Sequence, residues 1–223
     1  MRLTILGSSS AANGYVLDNG REALALECGC PLADLQRAVG FDLRRVAGVL
    51  LTHEHGDHAR HAMKYIKAAL PLYASEGTLM KLPEEVLAST FSHPVRPPKP
   101  FHVGGFRVLP FDVKHDAADP LGFMVAHPEM GALVFATDTR FLSYTFDGVK
   151  TWLLECNYDA ALLAEYNAAR AATGGIGAIA LYGRRVEGAV EISPAEHARI
   201  AAAPADAVLH AEANDVILVR MEG

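Results

Sequence analysis

The stretch that decides the fold is Gly48-Val49-Leu50-Leu51-Thr52-His53-Glu54-His55-Gly56-Asp57-His58. An apolar run of strand length empties into three histidines and Asp57 within six residues. In an extended chain leaving a strand, residues two apart point the same way, so His53 and His55 converge. Asp57 and His58 follow at a helix start and face a second point nearby. Gly56 is expected to let the backbone turn between the two pairs. Neutral imidazoles and a carboxylate match the ligand preference of zinc, with iron or manganese as alternatives. A solvated polar loop is the competing reading, and four ligand-type residues directly after a buried strand disfavour it.

Working outward, Leu3-Thr4-Ile5-Leu6 reads as a strand that enters a turn-rich loop from Gly7 to Gly14. Tyr15 to Leu17 and Ala23 to Leu26, joined by Asp18-Asn19-Gly20, form an antiparallel hairpin. A helix covers Leu32 to Val39 and ends at Gly40. A second, from Asp57 to Leu70, follows the histidine cluster. Pro71 to Ala74 is a short strand, and Glu84 to Ser89 a helix. Pro94 to Pro100 is extended, a surface loop inside one domain. Strands follow at Phe106 to Pro110, Gly122 to Ala126, Ala132 to Ala136 and Thr151 to Glu155, then a helix from Ala160 to Ala172. Ser193-Pro194-Ala195-Glu196 is a capped helix start. That helix runs to Ala202, and Asp206 to His210 and Val216 to Met221 close the chain. Sheets interspersed with helices indicate an α/β or α+β class, in one domain over residues 1–223.

Composition narrows the function. With 51% hydrophobic residues the chain can bury a sizeable core. Its apolar runs fall far short of the ~20 residues that cross a bilayer. The N-terminus reads as a first strand and not a signal peptide, so a soluble cytoplasmic protein with no membrane partner is expected. Three cysteines, Cys28, Cys30 and Cys156, suit a reducing compartment. The net charge of −6 argues against a broad sequence-independent grip on nucleic acid. It leaves a nucleic-acid substrate open, because bound metals supply local positive charge.

Two further signals lie downstream: His115-Asp116-Ala117-Ala118-Asp119-Pro120-Leu121-Gly122-Phe123, and Ala136-Thr137-Asp138 after another apolar strand. Taken together with His53-Glu54-His55-Gly56-Asp57-His58, their order resembles the metallo-β-lactamase fold superfamily. Its signature is His-x-His-x-Asp-His, then a separate His, an Asp and a final His. More specifically the chain resembles the branch of YycJ/WalJ-type proteins, proposed DNA exonucleases. Leu6-Gly7-Ser8-Ser9-Ser10-Ala11-Ala12-Asn13 is similar to that branch's Gly-Ser-rich opening. Leu154-Glu155-Cys156-Asn157-Tyr158-Asp159 is similar to a later motif.

The resemblance implies a four-layered αββα sandwich with two divalent metal ions at one edge. It implies that His53, His55 and His115 hold the first ion. Asp57, His58 and a final His hold the second, with Asp138 bridging. A final His should follow a helix and a strand, which selects His210; an ordinary hairpin residue is the alternative there. The branch's proton-transferring His is replaced by Glu191. Either Glu191 serves as the acid, or the substrate needs no such group, or the enzyme is weakened. Glu27 and Asp159 are candidates to orient ligands, against the readings of a solvated turn residue and a helix cap.

Two divalent ions, less Asp57, Asp138 and a bridging hydroxide, leave a charge of about +1 that favours an anionic substrate. Asp57 is a candidate to orient that hydroxide. The expected activity is a metal-dependent hydrolase of phosphodiester or nuclease type, acting on DNA, RNA or a small phosphodiester. Hydrolysis of a small ester, thioester, lactone or cyclic phosphate is the alternative. A metal-binding protein without turnover is a third reading. Oligomeric state is not legible.

Overall fold

Four consecutive strands run in the same direction and bring their C-terminal ends to one edge. They are β3 (Ala23–Leu26), β4 (Val46–Leu50), β5 (Leu72–Ser75) and β6 (Ser92–Val95). The computed structural model describes residues 1–139, 142–146, 148–149 and 151–156. It also describes the strand backbones of 179–182, 185–188, 208–209 and 215–220. The chain divides into two compact units: Met1–Asp112 with Asp116–Gly131, and Val113–His115 with Ala132–Gly223.

In the first unit, β1 (Arg2–Ser9) and β2 (Ala12–Asp18) complete a six-stranded sheet of order β1-β2-β3-β4-β5-β6. The apolar runs of β3 and β4 are buried because both faces of the sheet are covered. On one face lie α1 (Leu32–Ala38), α2 (Gly56–Ala59), α3 (Ala62–Lys67), α4 (Glu76–Lys81) and α5 (Glu84–Leu87). Leu35, Ala62, Tyr65, Ile66, Leu79 and Val86 from these helices pack with Val49, Leu51, Leu72 and Ala74 of the sheet. The opposite face meets β7 (Phe101–Val103), β8 (Phe106–Asp112) and β9 (Leu121–His127), paired antiparallel. Gly48 is needed at this contact, since a Cβ there would lie 2.7 Å from Val103 Cγ1 and 2.8 Å from Tyr73 Cε2.

The second unit holds β10 (Gly131–Ala136) parallel to β11 (Thr151–Cys156). The antiparallel strands β15 (Asp215–Arg220) and β14 (Val208–Leu209) continue from β11. A separate hairpin joins β12 (Ile179–Tyr182) to β13 (Arg185–Gly188). The helices expected at 160–172 and 193–202 lie outside the described residues. No helix among the described residues is long and apolar enough to cross a membrane.

Several sequence expectations are corrected. The turn-rich loop from Gly7 to Gly14 is instead the body of a tight β1–β2 hairpin, registered as Gly7 with Gly14 and Ser9 with Ala12. Its composition masks the strands because they widen the sheet's edge rather than fill a core. The helix expected from Asp57 to Leu70 is broken into α2 and α3 around Arg60 and His61. The His61 amide is drawn out of the helical ladder to donate to Cys28 O at 3.0 Å. Part of the proline-rich loop pairs as β6, and α4 and the β12–β13 hairpin were not expected.

Candidate metal centre

The site in the first unit is built on the ends of the parallel strands. β4 hands the chain to Thr52 and His53, and β3 ends beside it at Glu27. Glu27 adopts φ of 65°, the left-handed region that a non-glycine residue occupies only at a cost of about 1 kcal/mol or more. The side chain it presents is only 1% exposed. Its carboxylate accepts from Thr52 N at 3.2 Å and from Thr52 Oγ1 at 2.6 Å, and its Oε1 lies 3.3 Å from His58 Nδ1.

These contacts assign protons. The Thr52 hydroxyl has one hydrogen, and the Glu27 carboxylate takes it. Thr52 Oγ1 therefore accepts from His53 Nδ1, 2.9 Å away, which leaves His53 Nε2 with its lone pair. His58 Nδ1 lies 3.3 Å from Glu27 Oε1 as a close polar contact, and the Asn13 amide nitrogen, 3.2 Å from His58 Nε2, marks that nitrogen as the lone-pair side. Both lone pairs point to the side where the other ligand candidates stand. His53 Nε2 faces His55 Nδ1 at 3.1 Å, and His58 Nε2 lies 3.1 Å from Asp57 Oδ2.

Asn13 closes this arrangement from the β1–β2 hairpin. Its Nδ2 donates to Asp57 Oδ2 at 3.1 Å and lies 3.2 Å from His58 Nε2. Its Oδ1 accepts from Ser9 N and Tyr15 O–H, each at 3.2 Å, which fixes which way the amide faces. The backbone is clamped as well: Cys28 N donates to His58 O at 2.8 Å and Gly29 N to Asn13 O at 3.0 Å.

The donor set fits a divalent metal. Nitrogens bound to tetrahedral zinc at about 2.0–2.1 Å stand about 3.3 Å apart, close to the His53–His55 separation. Two imidazoles held by a buried carboxylate and hydroxyl are oriented as metal ligands are, through their second nitrogens. Gly56 departs from expectation: it opens α2, has open space for a Cβ and needs no left-handed backbone. The turn between the two ligand pairs is made by ordinary helical backbone.

The segment after His115 is tied to the same strand ends. Ala118 N donates to Glu54 Oε1 at 2.9 Å, Ser75 Oγ to Asp119 O at 2.6 Å, and Leu121 N to Thr52 O at 3.0 Å. In the second unit, His115 Nε2 and Asp138 Oδ2 lie 3.5 Å apart. Asp138, just beyond β10, also has a left-handed backbone, with φ of 46°. Lys114 N donates to Thr139 Oγ1 at 3.1 Å, drawing the two loops of this unit together. The structure thus gathers His53, His55, Asp57 and His58 in one unit, and His115 with Asp138 in the other. His210 and Glu191 lie outside the described residues, as does Asp159.

Sequence reasoning left Glu27 between ligand-orienting and solvated, and at 1% exposure it is not solvated. It missed Asn13 as a functional residue. The available signal was an amide-bearing residue at the end of the Gly-Ser-rich motif, two positions before a buried strand residue.

A profile of the Beta-lactamase superfamily domain matches residues 28–164, more than half of the chain. The chain belongs to the metallo-β-lactamase superfamily. Among curated relatives of this superfamily member, Exodeoxyribonuclease YycJ of Bacillus anthracis is 29% identical over 179 residues. The alignment covers 73% of this chain and 65% of that protein, so the chain spans just under two thirds of the relative's length. Among solved structures, the Rm3 metallo-beta-lactamase matches with a TM-score of 0.50 at 14% identity, over 66% of this chain and 64% of that one. The BLEG-1 B3 metallo-beta-lactamase matches with a TM-score of 0.50 at 18% identity, over 63% and 74%. These likenesses show the metallo-β-lactamase sandwich fold.

Proposed function

We propose that this protein is a binuclear metal-dependent phosphodiesterase whose substrate is nucleic acid. The observation that carries the reading is the Glu27–Thr52–His53 relay, which leaves Nε2 of buried His53 without its proton, with the same carboxylate 3.3 Å from His58 Nδ1. That is preparation for a cation. The relative's name, an exodeoxyribonuclease, supports the choice of phosphodiester.

In this reading His53, His55 and His115 would hold one ion, Asp57, His58 and His210 would hold the other, and Asp138 would complete the set. Zinc suits the nitrogen-rich set. Divalent ions held there supply Lewis acidity toward a phosphoryl oxygen and toward water. The protein's own groups do the rest. Glu27 and Thr52 fix the two imidazoles. Asn13 fixes the Asp57 carboxylate by donating to Oδ2. Glu191 is assigned as the proton donor to the leaving oxygen. Free, buried Cys28 and Cys30 suit a reducing cytoplasm.

Metal analysis of the purified protein tests the binuclear reading, with close to two equivalents of zinc, manganese or iron expected per chain. One equivalent or none refutes it. Bis-p-nitrophenyl phosphate and linear DNA test the chemistry. A metal-loaded protein that cleaves neither, yet opens lactones, eliminates the phosphodiesterase reading.

A further inference from the structure

The chain between Glu85 and Asp112 holds Arg96, Lys99 and Arg107 and not one carboxylate, in a protein of net charge −6. This segment forms β6, the loop after it, β7 and most of β8. Because β4, β5 and β6 are parallel, the loop after β6 emerges at the same sheet edge as the histidine cluster after β4. Two strand spacings separate them, about 10 Å. Arg96 and Lys99 are exposed on this loop and make no ion pair among the described residues. Pro97, Pro98 and Pro100 stiffen it, and Lys99 N donates to Arg96 O at 3.0 Å. Beside it, half-buried Tyr73 stacks on His93 at 4.9 Å and 26°, and on Phe101 at 5.2 Å and 23°. Among the described strands β6 and β7 each end a sheet, so this ring stack sits at a sheet edge.

We infer that the β6–β7 edge is a binding track for single-stranded nucleic acid, which it feeds to the metal centre. The inference rests on the nuclease reading and names the form of its substrate. Cations spaced along a rigid loop neutralise successive phosphates, and aromatic rings at a rim take unstacked bases without reading sequence. Arg96 and Lys99 hold the backbone. Phe101 and His93 offer the stacking faces. Arg107, opposite His102 on the outer side of β7–β8, extends the positive field.

Stopped-flow anisotropy of the metal-loaded protein with fluorescein-labelled oligothymidylate tests this before cleavage proceeds. The double variant Arg96→Ala/Lys99→Ala should flatten the salt dependence of log K by about 1.4, at ~0.7 per lost phosphate contact. Phe101→Leu, which keeps the apolar volume, should weaken binding about tenfold. Both should raise KM for single-stranded DNA and leave kcat and bis-p-nitrophenyl phosphate hydrolysis unchanged. Unaltered oligothymidylate affinity in both variants overturns the track. So does a double variant that loses only binding to anionic phospholipid vesicles. If the parent protein hydrolyses no phosphodiester, the nuclease reading fails, and the anisotropy alone then upholds or overturns the strand-binding surface.

Discussion

Glu27 Oε1 lies 3.3 Å from His58 Nδ1, and both side chains are sealed from solvent. The same carboxylate reaches Thr52 and, through it, His53. One acid therefore stands against two histidines of the cluster. Glu27→Gln keeps the volume but brings an amide N–H₂ against groups that already donate. Metal affinity should fall about 10- to 100-fold, measured by competition with a chromogenic chelator. Affinity equal to the parent's would show that Glu27 serves the fold alone.

Gly29 touches the cluster through backbone. A Cβ there would stand 1.6 Å from Asp57 O and 2.9 Å from Asn13 N, and main chain cannot swing aside as a side-chain tip does. Gly29→Ala should cost more than about 4 kcal/mol in a denaturant titration. Gly56→Ala, at a helical position with open space, should change stability by less than about 1 kcal/mol despite its place inside the ligand motif. The reverse ranking would mean that the strand end at Gly29 can retreat.

Asn13 serves two masters. Asn13→Ala removes the acceptor for Ser9 N and Tyr15 O–H and should destabilise the protein by about 1–3 kcal/mol. It also removes the donor to Asp57, so the metal content of the purified protein should drop. Tyr15→Phe separates the effects: it deletes one hydrogen bond to Oδ1 and should lower stability by about 1 kcal/mol with metal content unchanged. Loss of metal in Tyr15→Phe would assign the metal effect to packing.

Burial pushes the Cys30 thiol up to about 11, with Asp34 adding to the shift. Burial also raises Cys28, with Glu27 adding, and burial raises Tyr65. In each case the folded protein holds its proton to higher pH than the unfolded chain. These groups contribute nothing pH-dependent below about 8. Stability then falls as pH rises from 9, the ordinary thiol value, through about 11. Tyr65 steepens the fall above 10. Denaturant midpoints measured across that window should decline, and Cys28→Ala/Cys30→Ala should flatten the part between 9 and 10. Midpoints that hold level in the parent would contradict this linkage.

Much of this architecture is written in local pattern. The runs at Ala23 to Leu26 and Val49 to Leu51 read as strands because burial on both faces demands uniform apolarity. The ligand motif reads as metal chemistry because its residue types have few other uses at that spacing. What escaped detection depends on contacts between distant segments. The break between α2 and α3 is made by a carbonyl at Cys28, thirty-odd positions upstream, which no helical periodicity around His61 records. Gly7 to Gly14 carries turn-forming residues, yet their partners across the hairpin hold them extended. Asn13 becomes functional only once that hairpin folds against Asp57.

The order of these segments along the chain has a consequence for biosynthesis. Asn13, Glu27 and Thr52 all precede the histidines and the acid that they orient. A ribosome therefore releases the orienting groups before the ligands, and the ligands before His115 and Asp138. Once β5 and β6 have followed, the nascent polypeptide holds the parallel edge that presents His53 and His58, while more than half of residues 1–223 are still to be made. The first unit is thus built so that the groups orienting His53 and His58 are already on hand when those histidines emerge.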